Sequence, residues 1–414
     1  MHHNDTTYDV IVIGGGAAGM MAAGRAAQNG KQVLLLEKNK ALGEKLKITG
    51  GGRCNITNAE ENIRLLLAHY GAAEKFLYSC FAQFGMTDTF EFFEERGLPL
   101  VVQAGKRAFP KTERARDVFN VLEKYLTQGG VDVRTSAAVE KIVFTDGKIE
   151  KISVGKKDFF ATAYILATGG KSHPETGSTG DGFTWLKQLG HTVQNPTPTI
   201  VPLAVKNSWV KKLAGVTLPG VKITFFTNGK KSFALHGNIL LTHFGLSGPL
   251  ILNAAGRVAD LLHSGEVTAA IDTFPDLDLG GVDAHLTKVF DDNKNKVLKN
   301  VFKFLVPKGS ASAIAELLAI NPETKIHSIT REQRKRIGQL LKTLPVEITG
   351  LMGNDRAVIT DGGVALHEID IKTMRSKSCS NLYIVGDLLH ISRPSGGYSL
   401  QLCWTTGFIA GNAA

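Results

Sequence analysis

Gly14, Gly16 and Gly19 follow the apolar run Val10–Ile13 and fit the spacing GxGxxG. In such a loop the first glycine makes a tight turn and the second lets the backbone approach a pyrophosphate. The third lets the following helix pack close to the strand, and the helix N-terminus attracts the phosphate charge. Glu37 stands at the end of the next apolar run, where a carboxylate can bond a ribose diol. With Ala17 and Ala18 in the first helical turn and Lys38 beside the acid, the set reads as a dinucleotide site.

One strand–helix–strand unit must position these residues. Tyr8 to Ile13 reads as a buried strand, and the alanine-rich stretch from Ala17 to about Gln28 as a helix stopped by Asn29-Gly30. Val33–Leu36 is apolar throughout, as expected of a parallel strand covered on both faces. After Gly50-Gly51-Gly52-Arg53 comes a mostly helical region, then strands at Val131–Arg134 and Val139–Phe144 with a turn at Asp146-Gly147. From about Asn195, where Pro196, Pro198 and Pro202 cluster, the texture becomes β-rich, with a turn at Asn228-Gly229. Residues 283–343 change again, to amphipathic helices, and strand signals return from about Met352.

Two further features point to FAD rather than to a nicotinamide alone. Ala167-Thr168-Gly169 ends an apolar strand with a small-residue turn suited to the adenosine half. Near the C-terminus Gly386-Asp387 follows a strand, and Gly396-Gly397-Tyr398 opens the last helix. Asp387 can bond ribityl hydroxyls, and that helix N-terminus can stabilise negative charge at the N1/O2 edge of a reduced flavin.

The motifs together resemble those of the HI0933-like, or BaiN-like, bacterial NAD(P)/FAD-dependent oxidoreductases. Carrying the resemblance are Asp9–Gly19, Thr49-Gly50-Gly51-Gly52-Arg53-Cys54-Asn55-Ile56-Thr57-Asn58, Ala167–Gly170 and Thr176–Gly182. Thr242-His243-Phe244-Gly245-Leu246-Ser247-Gly248-Pro249, Thr360–Val364, Lys372–Lys377 and Ser395–Gln401 complete it, in family order. The resemblance implies an α/β fold: a two-segment Rossmann-type FAD-binding domain, with an inserted β-barrel-like domain carrying a helical subdomain. The expected boundaries are 1–194 and 356–414 for the FAD domain, 195–282 and 344–355 for the barrel, and 283–343 for the helices. The cofactor-facing set is then Gly14, Gly16, Ala17, Ala18, Gly19, Glu37, Lys38, Gly51, Gly52, Arg53, Cys54, Asn55, Val139, Ala167, Thr168, Gly169, Gly386, Asp387, Gly396, Gly397 and Tyr398. Family members usually carry Gly-Glu and an acidic loop before the last helix; here the segment reads Gly386-Asp387-Leu388-Leu389-His390-Ile391-Ser392-Arg393-Pro394.

The expected activity is hydride transfer through flavin N5 to a small apolar or enone-type substrate, with NADPH or NADH bound transiently as donor. Such chemistry needs a proton donor opposite the hydride. His243, His390 and Tyr398 suit the donor, and Arg393 suits a substrate carbonyl or carboxylate. The alternatives are an amine or aminoketone oxidase using oxygen, and a flavin-dependent RNA-binding or RNA-modifying protein.

Composition narrows these. The 414 residues carry a formal charge of +10, with an excess of base between Lys288 and Lys342. Leucines and isoleucines recur there at helical spacing, so a solvated helix face is the simpler account than a nucleic-acid surface. Cys54, Cys80, Cys379 and Cys403 form no CxxC pair, so neither a metal site nor a dithiol centre is expected. No apolar run reaches the ~18–20 residues of a membrane span, and no secretory signal is read at the N-terminus, so a cytoplasmic protein is expected. The middle of the chain holds no second GxGxxG, so a resident nicotinamide domain of the glutathione-reductase type is not expected.

Overall fold

Val33–Leu36 is buried at every position, which only a strand covered on both faces allows. It pairs in parallel with Thr7–Ile13, in the register Val10 to Val33 and Ile13 to Leu36. The structure, a computed structural model, describes residues 7–307, 310–353, 357 and 359–414. The chain forms two units, Met1–Pro198 with Ala357–Ala414, and Thr199–Arg356.

In the first unit a seven-stranded sheet runs in the order Asp132–Arg134, Val33–Leu36, Thr7–Ile13, Lys157–Leu166, Lys148–Val154, Lys141–Thr145. Leu382–Ile384 also pairs with Lys157–Leu166, placing Ile384 beside Leu166. Strands from the start, middle and end of the chain therefore finish at one edge, and Gly14, Ala167 and Val385 follow directly from them. This C-terminal edge of a parallel sheet is where such folds bind ligands.

The helices Ala17–Gln28 and Tyr398–Ala413 pack through backbone contact. A Cβ on Gly407 would stand 2.4 Å from the Ala18 carbonyl oxygen, and one on Gly411 would stand 2.3 Å from that of Ala22. Both are closer than any side-chain carbon tolerates, so the approach requires glycine at these two positions. Ala18, Ala22 and Ala26 on the facing helix are buried. Another tie runs through His191, whose side chain is fully buried. Its Nδ1 lies 2.7 Å from Glu368 Oε2 and its Nε2 lies 3.1 Å from Ser376 Oγ. Ser376 Oγ also accepts from the Ser378 and Cys379 amides. The Lys372–Lys377 motif thus contributes a buried polar clamp.

In the second unit six strands close a barrel in the order Leu203–Val205, Gly245–Ser247, Lys230–Leu241, Thr217–Thr227, Val267–Asp272, Leu344–Leu351. The hairpin Thr217–Thr227/Lys230–Leu241 turns at Asn228-Gly229, both with positive φ (50° and 75°), as a two-residue hairpin loop requires. Helices Leu279–Asp291, Ala311–Leu318 and Arg331–Lys342 enclose a separate core around Val282, Leu286, Phe302 and Ile337. The expected α/β class, with its Rossmann-type sheet and inserted barrel, is what the chain forms. Among the described residues, no helix is long and apolar enough to cross a membrane.

Gly411→Val should destabilise the first unit by about 3 kcal/mol, since the obstructing atom is a backbone carbonyl that cannot repack. Chemical denaturation of the variant beside Gly411→Ala and wild type checks this, with the loss growing from Ala to Val.

Candidate functional site

Two cavities lie at the C-terminal edge of the sheet, one of about 930 Å³ and one of about 460 Å³. Gly14, Glu37, Thr168 and Gly177 belong to both walls. The glycine loop explains the space. Gly14 has φ +106°, and a Cβ there would stand 2.6 Å from the Ala167 carbonyl oxygen. A Cβ on Gly19 would meet the Gly14 carbonyl oxygen at 1.9 Å, so the helix can lie on the strand only with glycine there. At Gly16, the residue before helix Ala17–Gln28, a Cβ would meet nothing within 4 Å. No side chain caps this helix and no acidic residue stands in its first turn. Its N-terminus therefore presents amides and positive potential to the cavity.

Glu37 is buried, with Oε2 accepting from the Gly15 amide and Oε1 from the Asn39 amide, each at 2.8 Å. The loop thus fixes the carboxylate, and each oxygen keeps a lone pair for a further donor. Lys38 and Val139 line the smaller cavity with Trp185. Lys38 Nζ lies 2.7 Å from Asp181 Oδ2, and the hydrogen bonds from Lys38 and Thr179 hold the Asp181 carboxyl below its usual range against burial, which alone would raise it.

Of the residues singled out in the sequence, Gly14, Gly16, Ala17, Ala18, Glu37, Ala167, Thr168, Gly169, Gly386 and Asp387 line the larger cavity. Gly51, Gly52, Arg53, Cys54 and Asn55, and Gly396, Gly397 and Tyr398, are outside both walls, although their neighbours Thr49 and Ser399 are in the larger one. Arg53 spans Glu113 at 2.5 Å and Gln103 at 2.8 Å, with its guanidinium 4.4 Å from the Phe109 ring centroid. Cys54 is completely buried at φ 61°, and burial pushes its thiol far above the usual range, so it is an inert packing residue. Burial likewise pushes the Cys403 thiol up to about 12.

The four candidate substrate-side groups are differently placed. Arg393 has a side chain only 1% exposed; it is paired to Asp387 and bonds Ser399 Oγ at 3.1 Å and the Ile391 carbonyl at 2.6 Å. Its guanidinium is committed within the protein and fixes Asp387 in the wall. His390 is half-exposed, with Nε2 3.7 Å from Asp361 Oδ1. Tyr398 is buried, its ring 4.8 Å from that of His69 and 5.8 Å from that of Tyr70. Burial, and then the Glu60 charge, raise its phenol above the usual value. His243 belongs to the other unit, exposed and edge-on to Phe244.

Sequence reasoning passed over Lys45, which lines the larger cavity, and His69. Neither belongs to a spacing pattern that would mark it. The residues present suit an FAD. The glycine loop, an uncapped helix and a fixed carboxylate match its pyrophosphate and ribose. Thr168 Oγ1, in the wall of both cavities, is buried without a partner among the described residues, the kind of group a bound ligand satisfies. Among the described residues, no three His, Cys, Asp or Glu side chains could hold a metal ion.

Comparison with known proteins agrees with the cleft. The HI0933-like protein Rossmann domain family matches residues 8–413. The chain is 30% identical over 398 residues to the 3-dehydro-bile acid delta(4,6)-reductase of Clostridium scindens, covering 95% of each chain. It is 26% identical over 401 residues to the ribosomal RNA dihydrouridine synthase of Escherichia coli, covering 97% of this chain and 96% of the relative. Among solved structures, 3-ketosteroid delta1-dehydrogenase from Sterolibacterium denitrificans shares the fold, with a TM-score of 0.55 at 14% identity, over 98% of this chain and 99% of that one. Cleft and relatives define an FAD-dependent oxidoreductase. The chain belongs to the HI0933-like family.

Gly16→Val should leave the fold within about 1 kcal/mol of wild type, because the added atoms enter open space. It should weaken FAD at least tenfold, about 1.4 kcal/mol, by filling the cofactor's path. Gly14→Ala should instead lose stability. Thermal melts with and without FAD separate the two.

Proposed function

We propose that the protein reduces a carbon–carbon double bond conjugated to a carbonyl, drawing electrons from NADPH or NADH. One observation carries the reading: two relatives matched over nearly the whole chain have names that specify this bond change on unlike substrates. One reduces the delta-4,6 positions of a 3-dehydro-bile acid, and the other makes dihydrouridine in ribosomal RNA. A 3-keto-4-ene and the C5=C6 bond of uracil are both conjugated to a carbonyl.

When bound, FAD supplies the hydride chemistry. The chain's own part is to hold it, exclude water and keep a proton ready. Gly14–Gly16 and the helix N-terminus would hold the pyrophosphate, and Glu37 the ribose. Asp387, fixed by Arg393, would accept from the ribityl hydroxyls. Tyr398 is the proton donor: a phenol is protonated at neutral pH, burial raises this one further, and the packing of His69 and Tyr70 fixes its ring. His390 is the group left to meet the substrate carbonyl, since Arg393 is committed to Asp387.

A second reading, with uridine in RNA as the substrate, is favoured by charge. Residues 199–356 carry 20 Lys and Arg against 13 Asp and Glu, so the inserted unit holds most of the net +10. A net positive charge of this kind favours a polyanionic partner.

Mixing anaerobically reduced protein with a 4-ene-3-ketosteroid, or with uridine-containing RNA, tests both readings. Recovery of the flavin band near ~450 nm with formation of the saturated product is expected from one of them. Tyr398→Phe should slow that recovery about 100-fold and leave reduction by NADPH unchanged. Recovery with oxygen alone, after reduction by an amine, would replace the proposal with the oxidase reading.

A further inference from the structure

The wall of the larger cavity holds three carboxylates, Glu37, Glu44 and Asp387, but among the described residues one basic side chain, Lys45. Lys45 lies in the short helix Glu44–Ile48, which Gly43 enters from the left-handed region at φ 66°. A Cβ on Gly43 would stand 2.6 Å from the Phe119 ring, so the backbone that sets Lys45 is tightly fixed. Nζ lies 3.2 Å from Oγ of the fully buried Ser172. An ammonium has three protons to donate, and Ser172 takes one. Burial pulls this lysine below its usual range; the charges of Asp387 and Glu175 oppose that, and Arg393 adds to it.

A half-buried ammonium with two protons unassigned is costly in the empty protein. It becomes favourable only when an acceptor enters the cavity beside it. The groups around Lys45 identify which part of the cavity this is. Asp387 and Cys403 belong to the C-terminal wall, whereas Glu37, Lys38 and Trp185 mark the ribose and the smaller cavity. We propose that Lys45 is the cation presented to the flavin ring, donating to its pyrimidine edge, where negative charge collects on reduction. Lys45 thus favours the reduced over the oxidised cofactor. The inference rests on the FAD reading above and deepens it. It accounts for a base placed among acids in a cleft whose helix N-terminus already serves the pyrophosphate.

The test is Lys45→Met in the full chain, reconstituted with FAD, with the dissociation constants of oxidised and reduced FAD measured separately. Reduced FAD should weaken at least tenfold more than oxidised FAD, equivalent to a fall of about 30 mV in the two-electron midpoint potential. Lys45→Arg, which keeps the charge, should recover most of that difference. The FAD-free Lys45→Met protein should be at least as stable as wild type, since it loses a costly ammonium. An equal loss for both redox forms would assign Lys45 to the pyrophosphate and overturn the proposal, as would no loss at all. A variant that fails to fold would also overturn it, by making Lys45 a structural residue. Wild-type protein that binds no FAD would instead remove the FAD reading itself.

Discussion

The first unit depends on one close approach, that of the last helix to the backbone of the first. Gly407 and Gly411 meet the carbonyls of Ala18 and Ala22 at distances that leave no room for a side chain. No large hydrophobic side chain could make this contact, because the gain lies in bringing two helix backbones together over a long stretch. The consequence is topological. Gly14–Ala18 come from the beginning of the chain, and Gly386, Asp387, Ser399 and Cys403 from its end, yet they face one cavity. The parallel pairing of Leu382–Ile384 with Tyr164–Leu166 fixes the same arrangement at the level of the sheet.

Charge within the cavity is arranged so that little is left free. Glu37 is held by two backbone amides, and Asp387 by Arg393. Both acids are therefore fixed in place before any ligand arrives, and a ligand hydroxyl meets an oriented acceptor rather than a mobile one. The positive potential comes from the uncapped helix Ala17–Gln28 and from Lys45, at different points along the wall. Thr168 Oγ1, buried in the same wall without a partner among the described residues, adds a donor and acceptor for a ligand.

Much of this was legible in the sequence because it is local. The GxGxxG loop, its flanking apolar runs and Glu37 lie in one short stretch of chain, and the physics of a tight turn and a buried parallel strand marks each of them. The hairpin at Asn228-Gly229 was legible for the same reason. What the sequence left dark depends on contacts between distant segments. Barrel closure pairs Val205 with Ile348, from opposite ends of the inserted unit, and no local pattern announces it. The clamp of His191, Glu368 and Ser376 joins three loops. Arg393 reads as a substrate group by residue type, and only its pairing with the nearby Asp387 shows that it is committed. The glycines at 407 and 411 did carry a signal, since small residues four apart in an apolar helix mark a close helix contact. Lys45 carried none: a lysine beside a glutamate in a short helix is ordinarily a surface residue.

The central claim is that the cleft of the first unit holds FAD. Denaturing the purified protein, separating the released chromophore by chromatography and weighing it by mass spectrometry tests this most directly. The account predicts FAD at about one per chain, released without covalent attachment. FMN in its place, or no flavin after incubation with excess FAD, would contradict it.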